Sequence, residues 1–424
     1  MDRCKHDCCV VLVTWKLIPL SPGALFLVHF KSRDLTRLHR QGQFWHIFFS
    51  HGCAIISQDE VDTWTAHMGV GLDTDTSTLD PEEVVYKVLG GSAGPYPIKI
   101  DQILVTSSWR PNICLVDKYI SPKGRVFLSG DAAHQNIPTG GYGMNTALGD
   151  SFDIGWKVGA VLAGYGGPAL LQSYETERRP VAERNIEHSG VHWTVQTTWW
   201  GWCATPSITS QAQDGKELRA RIADYVLQHD GENKDQGIEL GYRYTGSPVI
   251  VADEEGKEPP WEKSHYIPST WPGARAPHVF LKDGKTSIFD LFGTGREYSL
   301  VDFTNDGRYI RRFAPVAKKL SIPLKTIHLH EEEHARAIWE RDAVLVRPDD
   351  HVAWRAKLGG TAQELEGLEV ENVLLVAVGQ QGYGHANGAA GAHHDASKPE
   401  ERAFTGTVGN VNQETVEMRA AFQK

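Results

Sequence analysis

At 424 residues the chain exceeds one ordinary domain, and with 41% hydrophobic residues it has material for two or three units and a sizeable core. A formal charge of −10 argues against nucleic acid as a partner. Cysteines stand at 4, 8, 9, 53, 114 and 203 and nowhere in the C-terminal half, which excludes a secreted disulfide framework and points to a reducing, cytoplasmic setting. Residues 10–20 are apolar but short and carry Lys16 and Pro19, so neither a membrane span nor a signal peptide is expected.

Residues 1–23 contain no readable element, and Cys4, His6, Cys8 and Cys9 match no zinc spacing, so no metal is expected. Residues 24–111 read as short strands at 25–30, 44–49, 54–57 and 61–67, with a helical turn at 34–39. Such close spacing points to an antiparallel sheet. Asp80-Pro81-Glu82-Glu83 opens a helix with Asp80 as N-cap and Pro81 at its first position. Strands follow at 98–110 and 113–119.

Residues 125–129 form an apolar, β-branched run that Gly130-Asp131 ends, as a strand leaving the core would be ended. Beyond a loop rich in Gly and Pro, Met144, Leu148, Phe152, Trp156, Val158, Val161 and Leu162 put apolar positions on more than one face of a helix over 144–162, which is therefore expected to be buried. Gly140, Gly141 and Gly143 allow close approach of a ligand, and the free N–H groups of the first turn, backed by the helix dipole, offer a seat to an anionic or carbonyl-bearing group. Asp131 is placed to accept hydrogen bonds from the hydroxyls of a ribityl or ribose chain.

Pro180 is expected to end or kink the next helix at Arg179, with helix resuming over 181–188. Trp193, Trp199, Trp200 and Trp202 read as core or interface packing, and 214–229 as an amphipathic surface helix. Residues 246–273, rich in proline and acid, form a linker or covering loop. Strands at 278–281, 298–303, 324–329, 343–346 and 352–354 then alternate with helices at 312–320 and 331–339 in the thioredoxin manner, and 370–378 adds an apolar element. The tail 379–424 reads as disordered, with His385, His393 and His394 as flexible polar residues.

Gly130-Asp131-Ala132-Ala133-His134, Pro138, Gly140-Gly141-Tyr142-Gly143-Met144-Asn145, Trp156-Lys157 and 173–180 together resemble the second half of the FAD domain in the aromatic-ring flavoprotein monooxygenases, the phenol hydroxylase and p-hydroxybenzoate hydroxylase group. The pieces VHFKSRDL, GQFWHIFF and ISQDEVDTW resemble that family's substrate-covering sheet, and PGARAPHVFL and LVRPDDHVAWR its thioredoxin-like C-terminal domain. The resemblance implies a mixed fold, α/β and α+β: 24–111 as the covering sheet, 112–245 as the C-terminal half of an FAD-binding domain, 246–273 as linker and 274–378 as a thioredoxin-like domain. By the same resemblance Gly130 and Asp131 bind the sugar-like part of FAD, Pro138 lies near the flavin ring, and the backbone of Gly141, Tyr142, Gly143, Met144 and Asn145 faces its pyrimidine end. Gln58, Trp64 and His67 become pocket candidates, and Arg110 a contact to flavin or pyrophosphate, or else a simple salt bridge. The implied activity is hydroxylation of a phenolic, polyketide-type small molecule with FAD, NAD(P)H and O₂, and no catalytic base is named. A disulfide-exchange enzyme is excluded because the thioredoxin-like region has no cysteine, which leaves it a structural or homodimer-forming role.

The sequence departs from the family in one respect. It contains no G-x-G-x-x-G turn for the ADP half of FAD and no Asp-Gly before Asp131. A truncated reading frame or a degenerate copy is the simplest account, and a site completed by another polypeptide is the second. A noncatalytic remnant or interaction protein is the alternative function, and poor folding in isolation is expected because strand edges and apolar helix faces are left uncovered.

Overall fold

The computed structural model describes residues 18–19, 23–42, 44, 46–49, 52–110, 112–229, 234–357, 360 and 365–381. The expectations placed on Cys4, His6, Cys8, Cys9, His385, His393 and His394 lie outside the described residues. Among those described, no helix is long and apolar enough to cross a membrane.

Five antiparallel strands form the first sheet in the order β3 (His46–Phe48), β4 (Ala54–Ser57), β5 (Thr63–Gly71), β2 (Gly23–Lys31) and β6 (Gln102–Trp109). Along β2 every second side chain is buried, as one covered face requires. Phe26, Val28, Phe30, Ile55, Trp64 and Ala66 pack there on Val84, Val85 and Val88 of helix α1 (Pro81–Gly90). The Asp80 carboxylate caps α1 by accepting from the Glu82 N–H at 2.9 Å. The opposite face follows from the strand register: Phe48, Ala54, His67, Leu27 and Ser107 form one row across the sheet, and His46, Ile56, Thr65, His29 and Val105 the next.

A small second sheet pairs β1 (Ile18–Pro19), β7 (Asn112–Leu115) and β8 (His134–Gln135). The strand expected at 125–129 is reduced to one bridge, Phe127 to Ile120, flanked by two backbone hydrogen bonds, from the Ser121 N–H to the Val126 carbonyl and from the Leu128 N–H to the Tyr119 carbonyl, both 2.9 Å. A run of this kind becomes a strand only where a neighbouring strand continues its hydrogen bonds, and the segment beside it, 119–121, is too short to extend the ladder.

Helices α2 (Tyr142–Leu162) and α3 (Pro168–Cys203) pack together, and α4 (Gln213–His229) and the short α5 (Gln236–Leu240) follow. α2 inverts the sequence expectation. Its buried face carries Tyr142, Thr146, Asp150, Asp153, Trp156, Lys157 and Ala160, whereas Met144, Leu148, Phe152 and Leu162 are exposed, at 71%, 61%, 55% and 83%. The inner stripe Thr146, Asp150, Asp153, Lys157 keeps helical spacing, but it is polar because it meets ions on α3 rather than an apolar core. α3 continues through Pro180, so the run does not end at Arg179, and the helical stretch expected over 181–188 is part of it. Tyr174, Glu177 and Arg178 before the proline and Val181, Ala182 and Asn185 after it are all buried, and this packing outweighs the ~3 kcal/mol that an interior proline costs.

The third unit has a four-stranded sheet in the order β10 (Leu324–His328), β9 (Tyr298–Asp302), β11 (Ala343–Val346), β12 (Val352–Arg355). β10 is parallel to β9, and β11 and β12 are antiparallel to their neighbours. Helices α6 (Arg308–Lys319), α7 (Glu333–Trp339) and α8 (Val370–Ala377) cover it. β9 and β11 are buried at every position, as strands covered on both faces are. The expected strand at 278–281 is reduced to one bridge, Phe280 to Ser287. One core cluster joins Trp156, Ala160, Tyr165 and Leu170 of the helical unit to Tyr298, Leu300, Phe313 and Leu374 of the third.

The same junction holds a dry ion cluster. Arg347 donates to both carboxylate oxygens of Glu177 at 2.6 and 2.9 Å, Lys157 reaches Glu177 at 2.6 Å and Asp153 at 2.7 Å, and Arg347 also pairs with Asp349. Ser247 donates to Glu177 at 2.5 Å, and the Arg347 guanidinium lies 5.3 Å from the Trp156 ring and 5.1 Å from that of Tyr244. Asp153, Glu177 and Asp349 stand close enough together to hold a metal ion, but Lys157 and Arg347 already supply the positive charge. Breaking such a pair costs about 3–5 kcal/mol, because the remaining charge is left buried alone.

Three carboxylates face two cations, so one negative charge is in surplus. It falls on Asp153, whose pKa burial raises to about 6. Burial would also raise Glu177, but Arg347 and Lys157 outweigh it and hold Glu177 at about 2. A carboxyl whose folded pKa lies above its unfolded value destabilises the fold as pH rises through that window, and Glu177 gives its stabilisation back only well below pH 4. From pH 7 to about pH 5 Asp153 is therefore expected to add stability, against the loss contributed over the same range by His67, whose pKa burial lowers to about 4, and Asp153→Asn is expected to make the net slope toward acid less favourable and to stabilise at pH 7 by on the order of 2 kcal/mol. Urea titrations at the two pH values check this, and a slope unchanged by the substitution would refute it.

Candidate active site

The entry to α2 is closed below and open above. Gly140 (φ +83°) and Gly141 (φ +70°) are both left-handed. A Cβ at Gly140 would come within 2.4 Å of the Tyr142 ring and 2.9 Å of His192, whereas one at Gly141 would meet nothing within 4 Å. Gly141 is the N-cap residue, its own N–H held by the Pro138 carbonyl at 3.0 Å, and no side chain caps the turn, so the N–H groups of Gly143 and Met144 remain available to a ligand. Asn145 donates from Nδ2 to the Gly141 carbonyl at 2.8 Å, tying the turn to the helix.

Asp131 sits in the 3₁₀ turn Gly130–Ala132, exposed and without a hydrogen-bond partner among the described residues. Asp150 beneath it is the anchor. One of its oxygens receives the Gly130 N–H at 3.3 Å and contacts His134 Nε2 at 3.0 Å, and the other receives Arg178 Nε at 2.8 Å. Arg178 also donates to the Thr146 carbonyl at 3.2 Å and the Tyr244 hydroxyl at 3.2 Å. A Cβ at Gly149 would lie 2.6 Å from the Arg178 guanidinium, so this side chain fits over α2 only because glycine is there. Pro138, Gly141, Met144 and Asn145 are exposed on the same open side, Gly143 is half-buried, and Tyr142 and Gly130 point inward.

The pocket candidates separate. His67 lies on the open sheet face, half-buried, its ring 6.5 Å from that of Trp109, and no hydrogen bond reaches it among the described residues. Burial, and then the neighbouring His46, lower its pKa to about 4. Gln58 is held from Nε2 to the Thr65 hydroxyl at 3.0 Å, and His29 shares that hydroxyl at 3.0 Å. Trp64 belongs to the opposite face. It is fully buried, donates to the Ser32 carbonyl at 3.1 Å and stacks on His39 at 4.9 Å, so it lines no pocket on this side. Arg110 is exposed and makes no ion pair among the described residues.

α3 joins the two places. His192 contacts the turn through Tyr142, and Trp199 and Trp200 lie 6.1 and 5.5 Å from Phe48 of the sheet. Eight residues separate His192 from Trp200, about 12 Å along a helix. The tryptophans are therefore interface packing, as expected, and also part of a half-buried wall. Sequence reasoning missed Asp150, Arg178, His192, Asp235 and the His46–His67 pairing. Arg178 and His134 stood inside quoted motifs without a role, while nothing in the sequence links Tyr142 to Asp235.

The turn offers uncapped N–H groups, unobstructed space over Gly141 and an exposed Asp131 with no hydrogen-bond partner among the described residues, donors and an acceptor of the kind a flavin ring and its sugar chain require. The ADP half has no corresponding glycine turn in the sequence. Fold and site thus define a flavin-binding scaffold of the aromatic hydroxylase kind. Residues 20–189 match the FAD binding domain family and residues 269–371 the aromatic-ring hydroxylase C-terminal family. The FAD-dependent monooxygenase apdD of Emericella nidulans is 43% identical over 382 residues, covering 85% of this chain and 60% of the relative. The FAD-dependent monooxygenase opdD of Penicillium oxalicum is 43% identical over 376 residues, covering 84% and 69%. Among solved structures, the flavin-dependent monooxygenase PieE in complex with FAD and substrate aligns with a TM-score of 0.72 at 26% identity, over 86% of this chain and 67% of that one. The rebeccamycin biosynthetic enzyme RebC with reduced flavin aligns at 0.68 and 30%, over 86% and 65%. The chain belongs to the FAD-dependent aromatic-ring hydroxylase family, and it spans about 60% to 70% of the length of these relatives.

The exposed ridge of α2 yields a separate expectation. Leu148→Glu with Phe152→Glu is expected to change stability by no more than about 0.5 kcal/mol per site, because neither side chain is buried, and to reduce self-association by shrinking the apolar patch. Thermal melts and light scattering check the two halves, and a cooperative loss of fold would contradict the inverted placement of α2.

Proposed function

We propose that this chain carries out, as part of an FAD-dependent monooxygenase, hydroxylation of an electron-rich aromatic ring of phenolic, polyketide-derived type, with NAD(P)H and O₂ as co-substrates. The observation that carries this reading is the pairing of the open α2 turn with the half-buried aromatic sheet face, joined through α3, in a chain of this family. When bound, FAD takes up hydride and supplies activated oxygen. The chain's own part is to hold the two partners. The N–H groups of Gly143 and Met144 in the first turn and the dipole of α2 stabilise negative charge at the pyrimidine end of the ring, and Asp131 accepts hydroxyls of the sugar chain. Phe48, Trp109, Trp199 and Trp200 enclose a flat ring and exclude water. His67, kept neutral, accepts a hydrogen bond from the substrate hydroxyl, and Gln58, engaged by Thr65, acts as wall.

The strand order of the third unit supports the thioredoxin-like reading of 274–378, and its lack of cysteine supports a scaffolding or homodimer-forming role. The alternative, a noncatalytic chain that does not retain FAD, is favoured by the exposed apolar ridge of α2.

The purified chain, mixed with FAD and freed of excess, is expected to keep a flavin absorbance band that Asp131→Ala weakens. A colourless wild type would favour the alternative. With 4-nitrophenol as probe, His67→Leu is expected to weaken binding about tenfold and His67→Gln much less, since only glutamine restores an acceptor. Binding by the wild type should persist as pH falls to about 5, because His67 stays neutral there, and should fade near 4. Loss of binding near pH 6.5 would exclude His67 as the acceptor.

A further inference from the structure

Beneath the α2 turn lies a buried polar triangle to which neither the fold nor the proposed reaction assigns a role. The Tyr142 hydroxyl is 3.0 Å from His192 Nε2 and 3.3 Å from Asp235 Oδ2, and His192 Nε2 is 2.9 Å from the same Asp235 oxygen. All three side chains are more than nine-tenths buried. Their elements are distant in sequence: Tyr142 opens α2, His192 lies in α3 and Asp235 stands just before α5. Such a cluster is costly to bury unless every member is satisfied. Here it sits directly under Gly140, where a Cβ would collide with both the Tyr142 and the His192 rings. Thr139 locks the preceding residue by donating to the Ser189 carbonyl at 2.7 Å, one turn of α3 from His192.

We propose that Tyr142, His192 and Asp235 form a positioning triad that fixes the Gly140–Gly141 turn, so that the first N–H groups of α2 are held at the pyrimidine end of the flavin and favour its reduced, anionic form. The proposal rests on the FAD reading above. A rigid donor array stabilises developing charge more than a mobile one, because no reorganisation is required when the charge appears. Tyr142 acts through the backbone it carries, so it is a positioning residue.

The triad also places a titratable group under the turn. Tyr142, Asp235, Lys263 and His188 face His192; burial lowers its pKa first, and Asp235 opposes that. Lys263 approaches Asp235 at 3.7 Å. A proton on His192 would add positive charge near the reduced ring and raise its potential.

The test uses the full chain with FAD and compares wild type with Tyr142→Phe, His192→Leu and His192→Gln. Tyr142→Phe removes one hydroxyl and keeps the packing, so the thermal midpoint should hardly move. FAD binding should weaken about three- to tenfold, the flavin reduction potential should fall, and amide exchange across 140–145 should quicken. His192→Leu should behave alike and lose the pH dependence that His192 confers on the potential, while His192→Gln, which keeps a donor for Asp235, should recover most of the affinity. Unchanged potential and affinity in Tyr142→Phe and His192→Leu would overturn the proposal while leaving the FAD reading intact. A fall in affinity matched by loss of the fold in both variants would also overturn it, by reducing the triad to a structural role. A wild type that binds no flavin overturns the FAD reading and the proposal together.

Discussion

Glu177 has no water to solvate it, so its charge survives only because Arg347 and Lys157 reach it from two directions. Arg347 follows β11 in the third unit, Lys157 lies on α2 and Glu177 on α3, so satisfying one carboxylate fixes the mutual placement of three elements. An apolar contact would tolerate a small slide at such a junction. A bidentate guanidinium does not, since both of its hydrogen bonds lengthen together. Asp150 and Arg178 repeat the arrangement further along the helix pair toward Gly130 and the turn. The site is therefore held from beneath by buried ions, and only its upper surface is open.

This construction explains where sequence reasoning succeeded. β9 and β11 are buried at every position, β11 reads as a continuous apolar run, and β2 alternates because one of its faces is covered. Asp80-Pro81 announced its helix through chemistry confined to four residues. The glycines of the α2 turn, the exposed Asp131 and the family itself were legible because they depend on local spacing.

It also explains where that reasoning failed. Burial was inferred from apolarity, so Met144, Leu148 and Phe152 were turned inward, when the inner stripe was the charged one. Residues 125–129 had the composition of a strand but met only the short segment 119–121, which allows a single bridge. Trp64 and His67 were assigned to one pocket although three residues apart on a strand, a spacing that places them on opposite faces. The Tyr142–His192–Asp235 contact depends on how three helical segments converge, and no local pattern encodes it.

α3 runs unbroken for 36 residues, about 54 Å. Along its length it meets the third unit at Glu177, the α2 turn at His192 and the sheet at Trp200. Inserting or deleting one residue in its middle would turn everything beyond that point by about 100° and shift it by about 1.5 Å. All downstream contacts would be lost at once, not gradually. A change of length is therefore tolerated only in the connections around α3, which acts as a ruler with its marks at fixed positions.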